Sequence, residues 1–288
     1  MSNFSKILIA AFPIDKFKHD DVNYGQLVMQ WLGQAGFGVF YKDSYLMVDP
    51  YLSDYLAKKY AGKEFPHKRM MPVPIDMAKV KGLNYVLCTH RHSDHMDPET
   101  LPILLKNNSK CKLVAPRAEK KYVIETLGIN EDKVIFVNAN ESVILNDHIQ
   151  IEVVPSAHEE LKTDSEGNHH YLGYILKLGD ITLYHSGDCV PYDSLAKELK
   201  NKEIDVALLP VNGRDEFRTS RGVLGNFSFE ESVGLCKSLG ISKMICHHFG
   251  MFDFNTMDIN ILINKVNQNT DDCFKCIIPN TNDIYIIN

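Results

Sequence analysis

The sequence predicts an α/β protein in which two packed sheets carry helices on their outer faces. Two observations predict it. Strand-like and helix-like runs take turns along the chain, and the residues best suited to chemistry sit where strand-like runs give way to loops. A length of 288 residues allows a sizeable core within one domain spanning residues 1–288, and no linker-like stretch interrupts it.

Strand-like runs rich in β-branched and aromatic residues open at 27–32, 38–42 and 45–48 and continue at 85–89. The stretch 98–106 reads as a helix with proline near its start, and a strand follows at 112–115. A second helix is expected over 118–127, ending at Gly128, before a strand at 134–137. The alternation Ile149-Gln150-Ile151-Glu152-Val153-Val154 gives a strand with one face more polar than the other. Further strands are expected at 171–177, 181–185 and 204–209. Residues 228–239 open with Ser-x-x-Glu, a capping-box pattern, and stop at Gly240, so they read as a helix. A strand at 244–247, a helix at 257–266 and a strand at 283–287 complete the pattern.

Composition narrows the function classes. Thirty-one Lys and Arg against 37 Asp and Glu leave a net charge of −6, which argues against a broad nucleic-acid-binding face and for a small substrate. The apolar run at 7–12 is too short for a signal peptide and is followed at once by Pro13, Asp15 and Lys16. No stretch approaches the ~20 apolar residues of a membrane helix. Seven scattered cysteines suit reduced thiols in a cytoplasmic protein, and Cys273-Phe274-Lys275-Cys276 lacks the second ligand pair that a zinc site needs.

The most informative segment is Thr89-His90-Arg91-His92-Ser93-Asp94-His95, directly after the apolar run Tyr85-Val86-Leu87-Cys88. Three imidazoles and a carboxylate this close together point inward only if a divalent ion orders them. The spacing H-x-H-x-D-H offers two histidines to one ion and an Asp-His pair to a second. His158 follows the strand at 149–154, Asp188 follows the strand at 181–185, and His247 and His248 close the strand at 244–247.

These four separated motifs, each just after a strand, resemble the metallo-β-lactamase superfamily. Within it, Leu183-Tyr184-His185-Ser186-Gly187-Asp188, Leu209-Pro210-Val211-Asn212-Gly213-Arg214-Asp215 and His248-Phe249-Gly250-Met251-Phe252 look like the L-ascorbate-6-phosphate lactonase branch. Trp31-Leu32-Gly33-Gln34-Ala35-Gly36-Phe37 and Val48-Asp49-Pro50-Tyr51-Leu52-Ser53 fit it as well. One departure is Cys246, where relatives commonly carry proline two residues before the ligand. The resemblance implies a four-layer αββα sandwich and two divalent metal ions. His90, His92 and His158 would hold one ion, Asp94, His95 and His248 the other, with Asp188 bridging them. His248 is preferred to His247 because in relatives the liganding histidine precedes the Phe249–Phe252 run. Manganese is favoured by the resemblance, and zinc and iron stay open. His92 stands where oxygen-reducing di-iron relatives place a carboxylate, which weighs against redox chemistry.

The implied chemistry is hydrolysis by an ion-bound hydroxide, with Asp94 and Asp188 as the catalytic carboxylates and Asp94 a candidate for taking the nucleophile's proton. The long loop after residue 209 holds Arg214, Arg218 and Arg221, which suggest a grip on a phosphate or carboxylate. Asn212 and Asn226 are expected to orient that loop or the substrate, with Asn212 a candidate substrate contact, and His170 is a further candidate for the substrate pocket. The resulting expectation is a hydrolase that opens a lactone of a phosphorylated sugar acid. A phosphodiesterase or nuclease on the same ligands is the alternative enzyme, and a non-catalytic metal-binding protein is the third class. His19, His67 and His148 are expected to be exposed, His185 to support the ligands, and Trp31 to be core. Whether the chain forms a homo-oligomer is left open.

Overall fold

The structure, a computed structural model, describes Leu8–Ala10 and residues 25–287. Within the apolar run at 7–12, Leu8–Ala10 form a short strand, whereas Ile7, Ala11 and Phe12, like His19, lie outside the described residues. In chain order the elements are β1 (Leu8–Ala10), β2 (Leu27–Gly33), β3 (Gly36–Tyr41), β4 (Ser44–Val48), α1 (Tyr55–Lys59), β5 (Leu83–Leu87), α2 (Thr100–Asn107) and β6 (Lys112–Pro116). Then come β7 (Val134–Val137), β8 (Ser142–Asn146), β9 (Ile149–Pro155), β10 (Leu172–Leu178), β11 (Ile181–His185), α3 (Leu195–Leu199) and β12 (Val206–Pro210). The last are α4 (Glu216–Thr219), α5 (Phe229–Leu239), β13 (Lys243–His247), α6 (Ile259–Asn269), β14 (Lys275–Ile277) and β15 (Ile284–Ile287).

The strands form two mixed sheets, ordered β1-β15-β2-β3-β4-β5-β6-β7 and β14-β13-β12-β11-β10-β9-β8. Alternation along β2 shows how they stack. Leu27, Met29 and Trp31 enter the core between the sheets, whereas Val28 and Leu32 turn to the outer face, where they meet Leu101 and Leu104 of α2. Both faces are covered, so the strand reads as an almost continuous apolar run. On the other side, α5 packs on β12 and β13, and α6 packs on β14. The layers are thus helix, sheet, sheet, helix. No helix among the described residues is long and apolar enough to cross a membrane.

Strand direction gathers the site. In the first sheet β2, β4 and β5 run the same way, because two antiparallel steps through β3 restore the direction and β4–β5 is parallel. In the second sheet β9 and β11 share a direction through β10, and β11, β12 and β13 are parallel. The C-terminal ends within each set therefore lie along one edge of their sheet, where loops converge on ligands.

Differences from the expected elements have local causes. Residues 118–127 do not form an α-helix. The chain makes a tight turn at Arg117–Glu119 and a wide one at Tyr122–Thr126, where the Leu127 amide reaches back to the Tyr122 carbonyl at 3.1 Å. Strand β8 escapes the pattern because it is an edge strand with Ser142 and Ile144 exposed. The capping box at Ser228 is present, with Glu231 as its partner and Gly240 closing α5 in the left-handed conformation at φ 71°.

Candidate metal centre

The centre begins with Thr89, which follows β5. Its amide and hydroxyl donate to the two carboxylate oxygens of Asp49 at 2.8 and 2.7 Å. Asp49 sits just past β4 and is fully buried. Its Oδ2 also receives Nδ1 of His95 at 2.7 Å, which fixes that tautomer and leaves Nε2 as the acceptor face. Because the Thr89 hydroxyl is spent on Asp49, it accepts from Nδ1 of His90 at 3.0 Å, and the Nε2 of His90 is likewise left as the free lone pair. One buried carboxylate thereby sets the orientation of two imidazoles.

The other ligands close on the same point. Asp188 follows Gly187, whose φ of 60° places a would-be Cβ 2.8 Å from Thr89, so only glycine fits that approach. The Asp188 Oδ1 lies 3.2 Å from Nε2 of His95, and its Oδ2 lies 3.1 Å from Nε2 of His248 and 3.5 Å from Nε2 of His158. The Asp94 Oδ2 is 3.8 Å from His95 Nε2 and 3.9 Å from His248 Nε2. The donor atoms group as His90, His92, His158 and as Asp94, His95, His248, with a third group of His90, His95 and Asp188 linking the two.

These residues fit a pair of divalent ions. Nε2 of His90 and His95 and Oδ1 of Asp188 are buried with no hydrogen-bond partner among the described residues, a costly arrangement unless a cation takes their lone pairs. Protonation states agree. Burial drives His90 well below its ordinary value, lowers His92, and takes His158 to about 4, so these three are neutral ligands at neutral pH. At Asp188 burial opposes the anion, but His248 and His95 outweigh it and hold the carboxyl well below its usual range. Burial likewise opposes the His95 cation, yet Asp188, Asp49 and Asp94 raise that imidazole well above its ordinary value. A divalent ion among the same carboxylates would replace that proton.

A family profile described as "Beta-lactamase superfamily domain" matches residues 45–249, more than half of the chain. The chain belongs to the beta-lactamase superfamily. A UPF0173 metal-dependent hydrolase from Saccharolobus solfataricus is 27% identical over 238 residues, covering 83% of this chain and 91% of the relative. N-acyl-phosphatidylethanolamine-hydrolyzing phospholipase D 1 from Caenorhabditis elegans is 23% identical over 266 residues, covering 88% and 72%. Among solved structures, Igni18, a metallo hydrolase from Ignicoccus hospitalis, superposes with a TM-score of 0.64 at 17% identity over 91% of this chain and 99% of that one. Isothiocyanate hydrolase from Delia radicum gut bacteria gives 0.69 at 16% identity over 89% and 98%. At such identities the structural likeness speaks for the fold, the metallo-β-lactamase sandwich.

The superfamily's ligand pattern leaves two late histidines to separate, and β13 separates them. His247 is the last strand residue and points between the sheets, stacking on His185 at 5.0 Å and meeting the edge of Phe37. His248 takes φ 59°, which breaks the strand and turns its ring to Asp188 and Asp94. Cys246, the departure from relatives, packs in the strand core with its sulfur 3.6 Å from that of Cys276. His185 is a support: its Nδ1 accepts from the Gly187 amide at 3.0 Å and its Nε2 meets the Ala35 carbonyl at 2.8 Å.

Five of the candidate ligands, His92, Asp94, His158, Asp188 and His248, line a cavity of about 750 Å³. Its far wall corrects the expectation for the arginine loop. Arg214 does not line the cavity; it forms a two-pronged pair with Glu231 at 2.6 and 2.7 Å and donates to the Asn226 carbonyl. Arg218 is also turned away, bound to Asp215, the Asn212 carbonyl and Asn255. Both guanidiniums are held by carboxylates, carbonyls or amides of the protein, Arg214 by Glu231 of α5 and Arg218 by Asp215, Asn212 and Asn255, so neither is free for a substrate. Asn212 is buried and bonds Asn255 and Asn226, which ties the loop down rather than facing the cavity. Arg221 alone of the three reaches the lining, stacked on Phe217 and 3.3 Å from Glu64. His170 is not in the lining; its Nδ1 meets the buried carboxylate of Glu119 at 2.5 Å.

In their place the cavity presents Lys59, Lys63 and Arg91, together with the rings of Tyr60, Phe65, Tyr122 and Phe254. Arg91 stands between two ligands in sequence, and its guanidinium lies 3.7 Å from Glu119. His67, expected to be exposed, is half-buried in the lining with its Nδ1 2.6 Å from the Phe65 carbonyl and its ring on Tyr60. His148 is partly buried beside Lys42 rather than free. The sequence assigns no role to Asp49 or Gln34, although both touch the candidate ligands. The signal for Asp49 is a lone carboxylate at a strand end, and the wall leaves no short motif at all.

Proposed function

We propose that the chain is a dinuclear metal-dependent hydrolase of the metallo-β-lactamase fold that cleaves an anionic ester, with a phosphodiester as the leading bond type. One observation carries the proposal: two groups of candidate ligands, one of His90, His92 and His158 and one of Asp94, His95 and His248, are linked by a third that contains Asp188, and the cavity beside them is lined by Lys59, Lys63, Arg91 and Arg221, with Glu64 the only carboxylate in its described lining beyond the candidate ligands. Such a wall favours a substrate that is negatively charged whether or not its scissile bond is. Bound at these ligands, two ions supply Lewis-acid polarisation and a water acidic enough to act as a nucleophile near neutral pH.

The chain's own groups do the rest. Asp188 offers one oxygen to His95 and the other to His158 and His248, which keeps the two ligand groups in register. Asp94, held ionised by His95 and His248 against the cost of burial, faces the cavity and is placed to take the nucleophile's proton. Arg91 and Arg221 are the guanidiniums positioned to hold substrate oxygens. The similarity to a phospholipase D supports the phosphodiester.

A second proposal, opening a lactone of a phosphorylated sugar acid, is supported by the runs Leu183–Asp188 and Leu209–Asp215. It is weakened because only Arg221 of the predicted three arginines meets the cavity. Manganese is proposed for the ions, with zinc and iron as alternatives. The free state of all seven cysteines supports a cytoplasmic location. The deciding experiment is turnover by metal-reconstituted protein of bis(p-nitrophenyl) phosphate, sugar-phosphate lactones and single-stranded RNA. Diester cleavage is expected. Lactone turnover alone would transfer the assignment to the second proposal, and silence with two tightly bound ions would make this a non-catalytic metal-binding protein.

A further inference from the structure

The β2–β3 hairpin brings one more polar side chain to the centre. Gln34 sits at its turn with φ 51° and is only 1% exposed. Its backbone carbonyl accepts from the indole nitrogen of Trp31 and from the His248 amide, both at 2.9 Å. The hairpin is therefore fastened to the loop that carries a ligand. At the far end of the side chain, Nε2 lies 2.8 Å from Asp94 Oδ2 and 3.0 Å from His248 Nε2, while Oε1 is buried with no partner among the described residues.

Those two distances have a meaning beyond hydrogen bonding. Two donors that each sit ~2.1 Å from one ion, about 90° apart, are separated by roughly 3.0 Å. The terminal group of Gln34 thus stands at the spacing of a neighbouring ligand from two residues assigned to one ion. In the orientation seen, the amide N–H groups point at the lone pairs an ion requires. A half-turn of the terminal amide exchanges nitrogen for oxygen and aims the acceptor at the ion, at no cost to either backbone hydrogen bond. That turn gives Oε1 the ion as its partner and moves the amide nitrogen to the buried position that Oε1 leaves, so the exchange is driven by the ion alone.

We infer that the side-chain oxygen of Gln34 is a further ligand of the ion held by Asp94, His95 and His248. The inference rests on the two-ion proposal. With Asp188 shared, that ion then has three oxygen donors and two imidazoles, which suits manganese or iron better than four-coordinate zinc.

Calorimetric titration of metal-free protein with Mn²⁺ and with Zn²⁺ tests it. The step belonging to this ion is identified as the one that His248→Ala abolishes. Gln34→Leu keeps the backbone carbonyl and the side-chain bulk, so its melting temperature without metal should match the native protein. It should weaken that step about 10- to 100-fold for Mn²⁺ and less for Zn²⁺, and leave the other step unchanged. Gln34→Glu, which keeps an oxygen and adds charge, should tighten it. Unchanged or tighter Mn²⁺ binding by Gln34→Leu would overturn the inference and make the amide a clamp on Asp94 and His248 instead. Native protein that takes fewer than two ions would overturn the two-ion proposal first, and this one with it.

Discussion

The floor and the far wall of the cavity are built on opposite plans. On the floor, Asp49 fixes His95 and, through Thr89, His90, and His185 braces the turn before Asp188. These groups are buried, and their hydrogen bonds leave His90 and His95 one orientation each. The wall opposite is made of Lys59, Lys63, Glu64 and Arg221, which are exposed, and its ion pair, Arg221 with Glu64 at 3.3 Å, is of the weak, solvent-screened kind. The contrast teaches where precision is kept. Chemistry needs fixed atoms, whereas recognition of an anion needs charge more than position.

The largest effect should come from breaking the floor at its shared ligand. Asp188→Ala removes the carboxylate proposed to bridge the two ions, and turnover should fall on the order of 10³-fold, together with loss of bound metal by elemental analysis. Retained activity with one ion fewer would mean that the floor tolerates change as the wall does. His248→Ala should behave like Asp188→Ala. His247→Ala should keep its metal and lose mainly thermal stability, since that ring lies between the sheets beside His185.

One step outward, Asp49→Asn should keep the fold but disturb the tautomer of His95. Metal affinity is expected to drop about 10- to 100-fold, measured by competition with a chelating dye. An affinity equal to native would show that His95 is oriented by its ligand neighbours alone. Chelation of the native protein should lower Tm by roughly 5–10 °C when the ions had been present near 100 times their Kd. Scanning calorimetry with and without chelator checks this, and an unchanged Tm would remove metal from the stability of the floor.

The wall should give the smallest effects and a split among its arginines. Arg221→Ala is expected to raise KM for a charged ester by about 1.5–3 kcal/mol in kcat/KM while sparing a neutral one. Arg214→Ala and Arg218→Ala should instead cost about 1 kcal/mol or less of stability and affect charged and neutral substrates alike, because their guanidiniums serve Glu231 and Asp215. A charge-selective loss in Arg214→Ala would show that the loop rearranges when substrate binds.

The same contrast explains what the sequence makes legible. The floor is legible because its ligands come in short runs at strand ends, so His90, His92, Asp94 and His95 declare themselves by spacing, and His158, Asp188 and His248 by their place after strands. The choice of His248 over His247 needs the resemblance, because strand alternation alone cannot reveal that the chain breaks into φ 59° at that residue. Asp49 and Gln34 are single residues 40 or more positions from the groups they touch, and nothing local marks them. The wall is the least legible part. It joins α1 and the segment after it to Arg91 and the loop at 221–224, and three arginines close in sequence invite a shared role that ion pairing with Glu231 and Asp215 denies to two of them. Edge strand β8 and the irregular turn at Tyr122–Thr126 are missed for separate reasons: β8 has no buried residue to mark it, and in the turn the Leu127 amide reaches one residue further back than an α-helix allows, which no local pattern announces.

The central claim is that seven ligands from four strand-end loops hold two ions around Asp188, and the most direct measurement is metal content per chain at saturation. Elemental analysis of gel-filtered, metal-reconstituted protein should give two ions per chain for the native sequence and a clear deficit for Asp188→Ala. No more than one ion per native chain under saturating metal would contradict the account.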